Sequence, residues 1–319
     1  MAEAKKKEPF VSVVTPVYNG EEFLRACIES MLAQDYSNWE YVLVNNQSTD
    51  GSLQIMEEYA EKDSRIRIHN NEEFLPLMEN LNHAFRQISQ ESKYCKVVHA
   101  DDLLFPQCIS HMVALGEEDP SIGFISAYQL IDKRVGPNGL EYPKKHFPGK
   151  EFGRRYLLYG MKLIAHPSAN LIRSDIIRKR EKVYDESYLG SDTSAFLDIL
   201  SESNFGFVYQ VLTFTRLHEQ SVTNNGVKKY IYFLDLLRIN LKFAPIFLTN
   251  SEAKRIIKKR ERIFYIQFAR SLLLENTKKV HRELKKELQK IDQPIKYGKL
   301  TRYLIREILL QPIKAIGLK

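Results

Sequence analysis

Long apolar runs are missing from this 319-residue chain, and with no stretch of about 18 consecutive apolar residues nothing in it is expected to span a membrane. The opening Met1-Ala2-Glu3-Ala4-Lys5-Lys6-Lys7-Glu8 has no apolar segment of the kind a secretory leader requires. Cysteine is scarce. Cys27, Cys95 and Cys108 are odd in number and lack metal-ligand spacing, so they read as buried thiols in a reducing compartment. No Gly-x-Gly-x-x-Gly follows the first strand-like run, which argues against a hydride-transferring dehydrogenase. Thr15 to Gly20 is also without the Gly/Arg/Lys-rich phosphate loop expected of a nucleotidyltransferase. Internal repeats and low-complexity segments are absent.

What is present is a chain of 44% hydrophobic residues, enough for a substantial core, with a sharp division of charge. Residues 1–224 carry 24 Lys and Arg against 32 Asp and Glu, whereas residues 225–319 carry 23 against 8. The expected organisation is therefore a polar tail at 1–8, an acidic catalytic domain at 9–224 and a basic helical extension at 225–319. An acidic body that binds a polyphosphate must neutralise it locally, with a metal or a few placed cations.

The pattern along 9–224 alternates. Phe10 to Thr15, Tyr41 to Val44, Ile66 to Ile68 and Lys96 to Val98 read as strands, the first stopping at Pro16. Helical spacing separates them at Glu21–Ala33, up to about Tyr59, and through Leu77 to Ile88. This order predicts a parallel sheet with right-handed crossovers. Further on, the pattern predicts a helix opening at Pro106, a strand at Gly123–Tyr128, an extended segment from Pro167 to Ile172, a helix behind Asp192 and a long strand from Phe205 to Leu217. Everything beyond reads helical.

The fourth strand ends abruptly in His99-Ala100-Asp101-Asp102. In open α/β sheets ligands bind beyond the carboxyl ends of the strands. Carboxylates there can hold Mg²⁺ or Mn²⁺ against a phosphate, although an Asp pair can also simply cap a turn. Two other strand ends are as distinctive: Thr15-Pro16-Val17-Tyr18-Asn19-Gly20, and Asn45-Asn46-Gln47-Ser48-Thr49-Asp50-Gly51-Ser52. Asp192 and Arg216-Leu217-His218-Glu219-Gln220-Ser221-Val222-Thr223 follow in that order.

Together these motifs, over roughly residues 9–223, resemble the inverting glycosyltransferases of family 2. In that family a TPxYN loop, a DDGSTDGS-like loop, a DxD metal motif, an ED base motif and a late His recur in this sequence. The resemblance implies an α/β, GT-A-type fold: a mostly parallel central sheet flanked by helices, here with a C-terminal helical extension. It implies single in-line displacement from a nucleotide-diphospho-sugar donor to a glycan or lipid-linked acceptor hydroxyl. Asp192 corresponds to the base, with Ser191 in place of the usual Glu. Asp101 corresponds to the last acid of the metal motif and His218 to its distant partner, holding Mn²⁺ or Mg²⁺. His99 stands where the first acid would be. Donor contacts fall to Pro16, Tyr18, Asn19, Asn45, Asn46, His99, Ala100 and Asp102, with Tyr18 beside the base and Asp102 on the sugar or orienting Asp101. Asp50 is expected to order its loop and cap the following helix. His166 and Arg173 lie in the acceptor-side segment. A non-catalytic glycan-binding relative is the alternative these departures leave open.

In the extension, Leu300, Tyr303, Leu304, Ile308 and Leu309 recur at helical spacing among Lys299, Arg302 and Arg306. Such a helix either lies on an anionic membrane surface, making the enzyme cytoplasmic and peripheral, or packs in a bundle or against a second subunit. No nucleic-acid partner is expected, since no recognised module accompanies the charge.

Overall fold

The computed structural model describes residues 8–137, 139–160, 165–188, 190–217, 226–274, 277–289 and 294–315. The chain divides into two compact units, Met1–Glu186 with Ser191–Leu217, and Ser187–Gly190 with His218–Lys319.

The first unit opens with β1 (Val11–Val17), α1 (Glu21–Leu32), β2 (Trp39–Asn45), α2 (Ser52–Lys62), β3 (Ile66–Asn70), α3 (Leu77–Arg86) and β4 (Tyr94–Val97). It continues through β5 (Leu103–Leu104), α4 (Cys108–Glu118), β6 (Ile122–Ile131), β7 (Arg134–Gly136), β8 (His146–Phe147) and α5 (Gly149–Tyr159). A 3-10 turn at Pro167–Ala169 then leads into β9 (Asn170–Arg173), α6 (Ser174–Arg178), α7 (Ser191–Leu200) and β10 (Asn204–Thr215). The strands form one sheet in the order β3-β2-β1-β4-β9-β6-β10-β5, with β7 on β6 and β8 on β10.

Neighbours among β3, β2, β1 and β4 run parallel, as do β6 and β10, whereas β9 is antiparallel to both β4 and β6. Val11 is in register with both Trp39 and Tyr94, so β1, β2 and β4 end along one edge. Because β9 is reversed, its leading turn at Pro167–Ala169 reaches that same edge, and so does the last residue of β10.

The central strands are largely apolar because helices cover them, although Ser12, Thr15 and Lys96 are buried within them as well. In α1, Leu24, Cys27, Ile28 and Met31 lie at helical spacing and are buried, while Glu21 and Glu22 complement the helix dipole in its first turn. These side chains join Val11, Val13, Tyr41, Leu43 and Met112 in one core. Each fully buried aliphatic contributes about 1.5–3 kcal/mol. All three cysteines are buried and free.

Several boundaries differ from the sequence expectation. β1 runs through Pro16, which pairs with Val44. The ring is tolerated because the Val17 carbonyl faces β2, where it accepts Asn46 N–H, while the Val14 carbonyl faces β4. Pro16 shares the parity of Val14, so its missing N–H points past the end of β4. Pro106 precedes α4 rather than opening it, since Leu103–Leu104 first pair with β10. The segment expected to be extended from Pro167 begins instead as the 3-10 turn. Asp192, expected to precede its helix, is the second residue of α7.

The second unit contains α8 (Gly226–Phe247), α9 (Asn250–Leu274), α10 (Thr277–Gln289) and α11 (Tyr297–Ala315). Leu234, Leu237, Phe264, Phe268, Leu284, Leu288 and Leu300 form its core. Leu300, Tyr303 and Leu304, read from sequence as part of one apolar stripe, pack into this bundle. Ile308 and Leu309 do not; together with Ile305 they are exposed. No helix among the described residues is long and apolar enough to cross a membrane.

Candidate active site

The loops after β1 and β2 are laced into one body. Asn19 accepts Thr49 N–H at 2.8 Å, and its own N–H reaches the Ser48 hydroxyl at 3.1 Å. Gly20 N–H donates to the Ser52 hydroxyl, Glu21 N–H to Asp50, and Gly51 N–H to Glu21. Asp50 also accepts Ser52 N–H, so one carboxylate holds the first turns of both α1 and α2. Asn19 sits at φ 49°, in the left-handed region that Asn tolerates well. The two sequence motifs are thus one structural object.

Tyr18 is exposed at the rim of this body, its ring edge-to-face with exposed Phe74 at 4.8 Å between centroids. Phe74 follows the end of β3 and was missed in the sequence, where one aromatic in a polar loop gives little signal. Asn45 and Asn46 stand inside the scaffold. Asn45 donates to Asn70 and accepts Ser48 N–H, while Asn46 donates to the Leu75 carbonyl and accepts from Asn71 and from Leu75 N–H. Asn46, expected at the donor, is 2% exposed and instead fixes the β3–α3 loop that carries Phe74.

At the end of β4 the two aspartates separate in role. Asp102, expected to touch donor or orient its neighbour, is 2% exposed. It accepts the Ser168 hydroxyl at 2.5 Å and Arg216 N–H at 3.3 Å, so its carboxylate is turned inward. Burial raises its pKa, partly offset by His99 and the Ser168 bond. Asp101 is half-buried, and its carbonyl accepts the Arg216 guanidinium. His99 N–H donates to Ser168, and the His99 carbonyl accepts the Cys27 thiol. The His99 Nε2 atom is buried and has no hydrogen-bond partner among the described residues. Ala100 approaches Gly20 closely enough that a Cβ there would stand 3.4 Å from its own, which joins the β1 and β4 loops.

Ser168 therefore ties the Pro167–Ala169 turn to the Asp motif, and Lys96 braces it from below. This lysine is fully buried, donates to the Ser168 carbonyl at 2.7 Å and the Asn170 carbonyl at 3.3 Å, and has its pKa lowered by burial. Lys96→Met keeps the stem but leaves both carbonyls short of a donor. Urea unfolding should show a loss of about 1–3 kcal/mol.

His166 heads the same turn and is exposed, with its N–H held by Gln129. Asp192 enters from the first turn of α7, preceded by Ser191, whose hydroxyl meets the Met78 sulfur. Burial raises the Asp192 pKa, and the charges of His99 and His166 oppose that rise, which puts both histidines within electrostatic reach of it. The same two histidines act on Asp102, so Asp192, His99, His166 and the Asp pair share one electrostatic neighbourhood.

Arg173 does not join them. β9 pairs Arg173 with Tyr94, at the opening end of β4, where its guanidinium engages Asp175 and the Pro120 carbonyl. Sequence proximity to His166 was misleading because a whole strand separates them. His218 lies outside the described residues; Arg216, two positions before it, touches both Asp101 and Asp102.

Among the described residues no group of three or more His, Cys, Asp or Glu side chains converges as a closed metal site. Mg²⁺ and Mn²⁺ at diphosphate sites need few protein ligands, commonly one or two carboxylates with the remainder from phosphate and water. The half-buried Asp101 and the unpartnered His99 Nε2 fit such an open site, with the nitrogen better suited to Mn²⁺.

A parallel β3-β2-β1-β4 half-sheet, an antiparallel β9, and an acidic motif at the end of β4 define the GT-A architecture. The profile described as glycosyl transferase family 2 matches residues 12–180, and the chain belongs to that family. An uncharacterized glycosyltransferase of Haemophilus influenzae is 26% identical over 254 residues, covering 73% of this chain and 77% of that protein. Residues 1–349 of S. aureus TarS, in complex with UDP-GlcNAc, superpose with a TM-score of 0.62 at 16% identity over 92% of this chain and 79% of that one. The mannosyltransferase PcManGT of Pyrobaculum calidifontis, in complex with GDP-Man and Mn²⁺, gives 0.58 at 15% identity over 95% and 87%.

Proposed function

We propose that the chain is an inverting glycosyltransferase that moves a sugar from a nucleotide-diphospho-sugar to a hydroxyl of a glycan or lipid-linked acceptor. The observation that carries this reading is Asp192: a carboxylate of raised pKa in the first turn of α7, within electrostatic reach of His99 and His166 and so of the Asp motif. Inversion requires one in-line displacement, with a base on the face opposite the leaving group. The acceptor oxygen forms its bond to the anomeric carbon as the bond to diphosphate breaks, and the acceptor proton passes to Asp192. A raised pKa makes the carboxylate a better proton acceptor than an ordinary Asp. The donor classes bound by TarS and PcManGT support the choice of substrate.

Tyr18 and Phe74 offer exposed aromatic faces for the base. Asn19, Asn45 and Asn46 hold the loop around it, Pro16 stands in the strand that leads into that loop, and Ala100 packs against Gly20 beside it. Asp101 would hold Mn²⁺ or Mg²⁺, with His99 and His218 beside it. The bound metal would supply countercharge for the leaving diphosphate. Asp102 positions Asp101 from within, and His166 stands on the acceptor side. The exposed basic helices support peripheral attachment at the cytoplasmic membrane face.

Donor affinity measured by calorimetry with and without Mn²⁺ tests the metal assignment. Asp101→Ala should weaken Mn²⁺-dependent donor binding by at least the roughly 10–100-fold that outer partners of a metal already cost. Binding indifferent to both EDTA and the substitution would refute it.

A further inference from the structure

The second unit contains a cleft of about 370 Å³ between α9 and α11 that the sugar-transfer reading does not use. Arg255, Lys258, Lys259 and Arg262 line it from α9, and Lys299 and Arg302 from α11. The four on α9 fall at i, i+3, i+4 and i+7, a single helix face, and all are exposed. One carboxylate, Glu261, shares the cleft, and it is already bonded to Lys296 at 2.9 Å and to Lys299 at 2.5 Å. The other five cations have no acidic partner among the described residues. Like charges at i, i+4 destabilise a helix, so folding of the bundle does not explain this face. A bound anion would. Arginine forks and lysine ammonium groups around a small cleft suit phosphate oxygens.

A second observation chooses the source of the phosphate. On α11, Ile305, Ile308 and Leu309 are 53%, 47% and 67% exposed. At about 100° per residue, Leu309 stands almost directly above Arg302 two turns along, with Ile305 and Ile308 on the side away from Arg306. The apolar row therefore adjoins the cationic edge of the cleft. A dissolved phosphate would need the cations and not the row. A bilayer surface of anionic lipids needs both, with headgroup phosphates in the cleft and the aliphatic row at the acyl boundary.

We infer that the α9–α11 cleft is a phosphate-recognising site that seats the headgroups of an anionic membrane, with Ile305, Ile308 and Leu309 dipping into the interface. The inference is independent of sugar transfer, because binding is measured without donor.

The test is co-sedimentation of the full chain with phosphatidylcholine vesicles, with and without phosphatidylglycerol, alongside calorimetry with inorganic phosphate. The wild-type chain should partition onto the mixed vesicles, not the neutral ones, and release as salt rises. Each interfacial cation is worth about fivefold, so Lys258→Ser/Lys259→Ser/Arg262→Ser/Arg302→Ser should lower partitioning by a hundredfold or more. Ile305→Ser/Ile308→Ser/Leu309→Ser should also lower it, by at least tenfold. All seven side chains are exposed, so both variants should keep the wild-type circular dichroism. The charge-preserving Lys258→Arg/Lys259→Arg should bind as the wild type does. Equal binding to neutral vesicles, or undiminished binding by the charge variant, would overturn the proposal. Saturable uptake of inorganic phosphate without vesicle binding would assign the cleft to a free anion. Concentration-dependent dimerisation abolished by the apolar variant, again without vesicle binding, would assign the row to a second copy.

Discussion

Asp192→Asn should lower kcat by about 10²–10⁴-fold while leaving donor affinity near the wild-type value. The substitution preserves shape and removes only the proton acceptor, and donor contacts lie on other loops. A companion effect separates this role from a structural one. Burial raises the Asp192 pKa, so the folded state prefers the protonated form. Stability linked to this group is fully present below the unfolded carboxylate pKa of about 4, and is lost as pH rises through the folded value. The Asn variant, neutral at every pH, should therefore match the wild type in acid and exceed it in stability at neutral pH. The acid limb of the wild-type kcat profile should lie above the ordinary Asp range. A variant that loses stability and keeps its turnover would reverse the assignment.

Arg238→Met should destabilise the second unit by about 3–5 kcal/mol in urea unfolding. Arg238 and Asp235, on α8, are 4% and 1% exposed and pair at 3.1 Å. The guanidinium also donates to the Ser187 carbonyl at 2.7 Å and to its hydroxyl at 2.9 Å, and lies over the Tyr188 ring. Gly190 N–H reaches Asp235 at 3.4 Å. Removing the cation takes the ion-pair partner from a buried carboxylate and the guanidinium donors from two Ser187 oxygens. The double variant Arg238→Met/Asp235→Leu should recover much of the loss, because it removes both charges. Residues 187–190 run directly into Ser191 and Asp192, so the single variant should also lower kcat more than donor affinity.

Much of the site could be read in the chain because its chemistry is concentrated at consecutive strand ends. Parallel strands joined by helices place those ends on one edge, and short polar loops after Val17, Asn45 and Val98 announce themselves against apolar runs. The features that the sequence does not display depend on distant partners. Ser168 meets Asp102 across 66 positions, and Lys96 is a buried lysine inside what reads as a strand core. Arg173 lies away from the site because β9 runs antiparallel to β4, carrying it away from His166 along the strand. The apolar residues of α11 divide, Leu300 and Leu304 turning inward while Ile305 and Leu309 turn outward, a division that periodicity alone does not draw.

Transfer from a nucleotide-diphospho-sugar with inversion leaves its signature in the configuration of the first product. A panel of such donors, incubated with the protein and Mn²⁺, can be followed by proton NMR from the first turnovers. At least one donor should release its nucleoside diphosphate, the sugar should first appear with the opposite anomeric configuration, and both signals should vanish in Asp192→Asn. Product formed with retained configuration, or turnover that persists in that variant, would contradict inversion with Asp192 as the base.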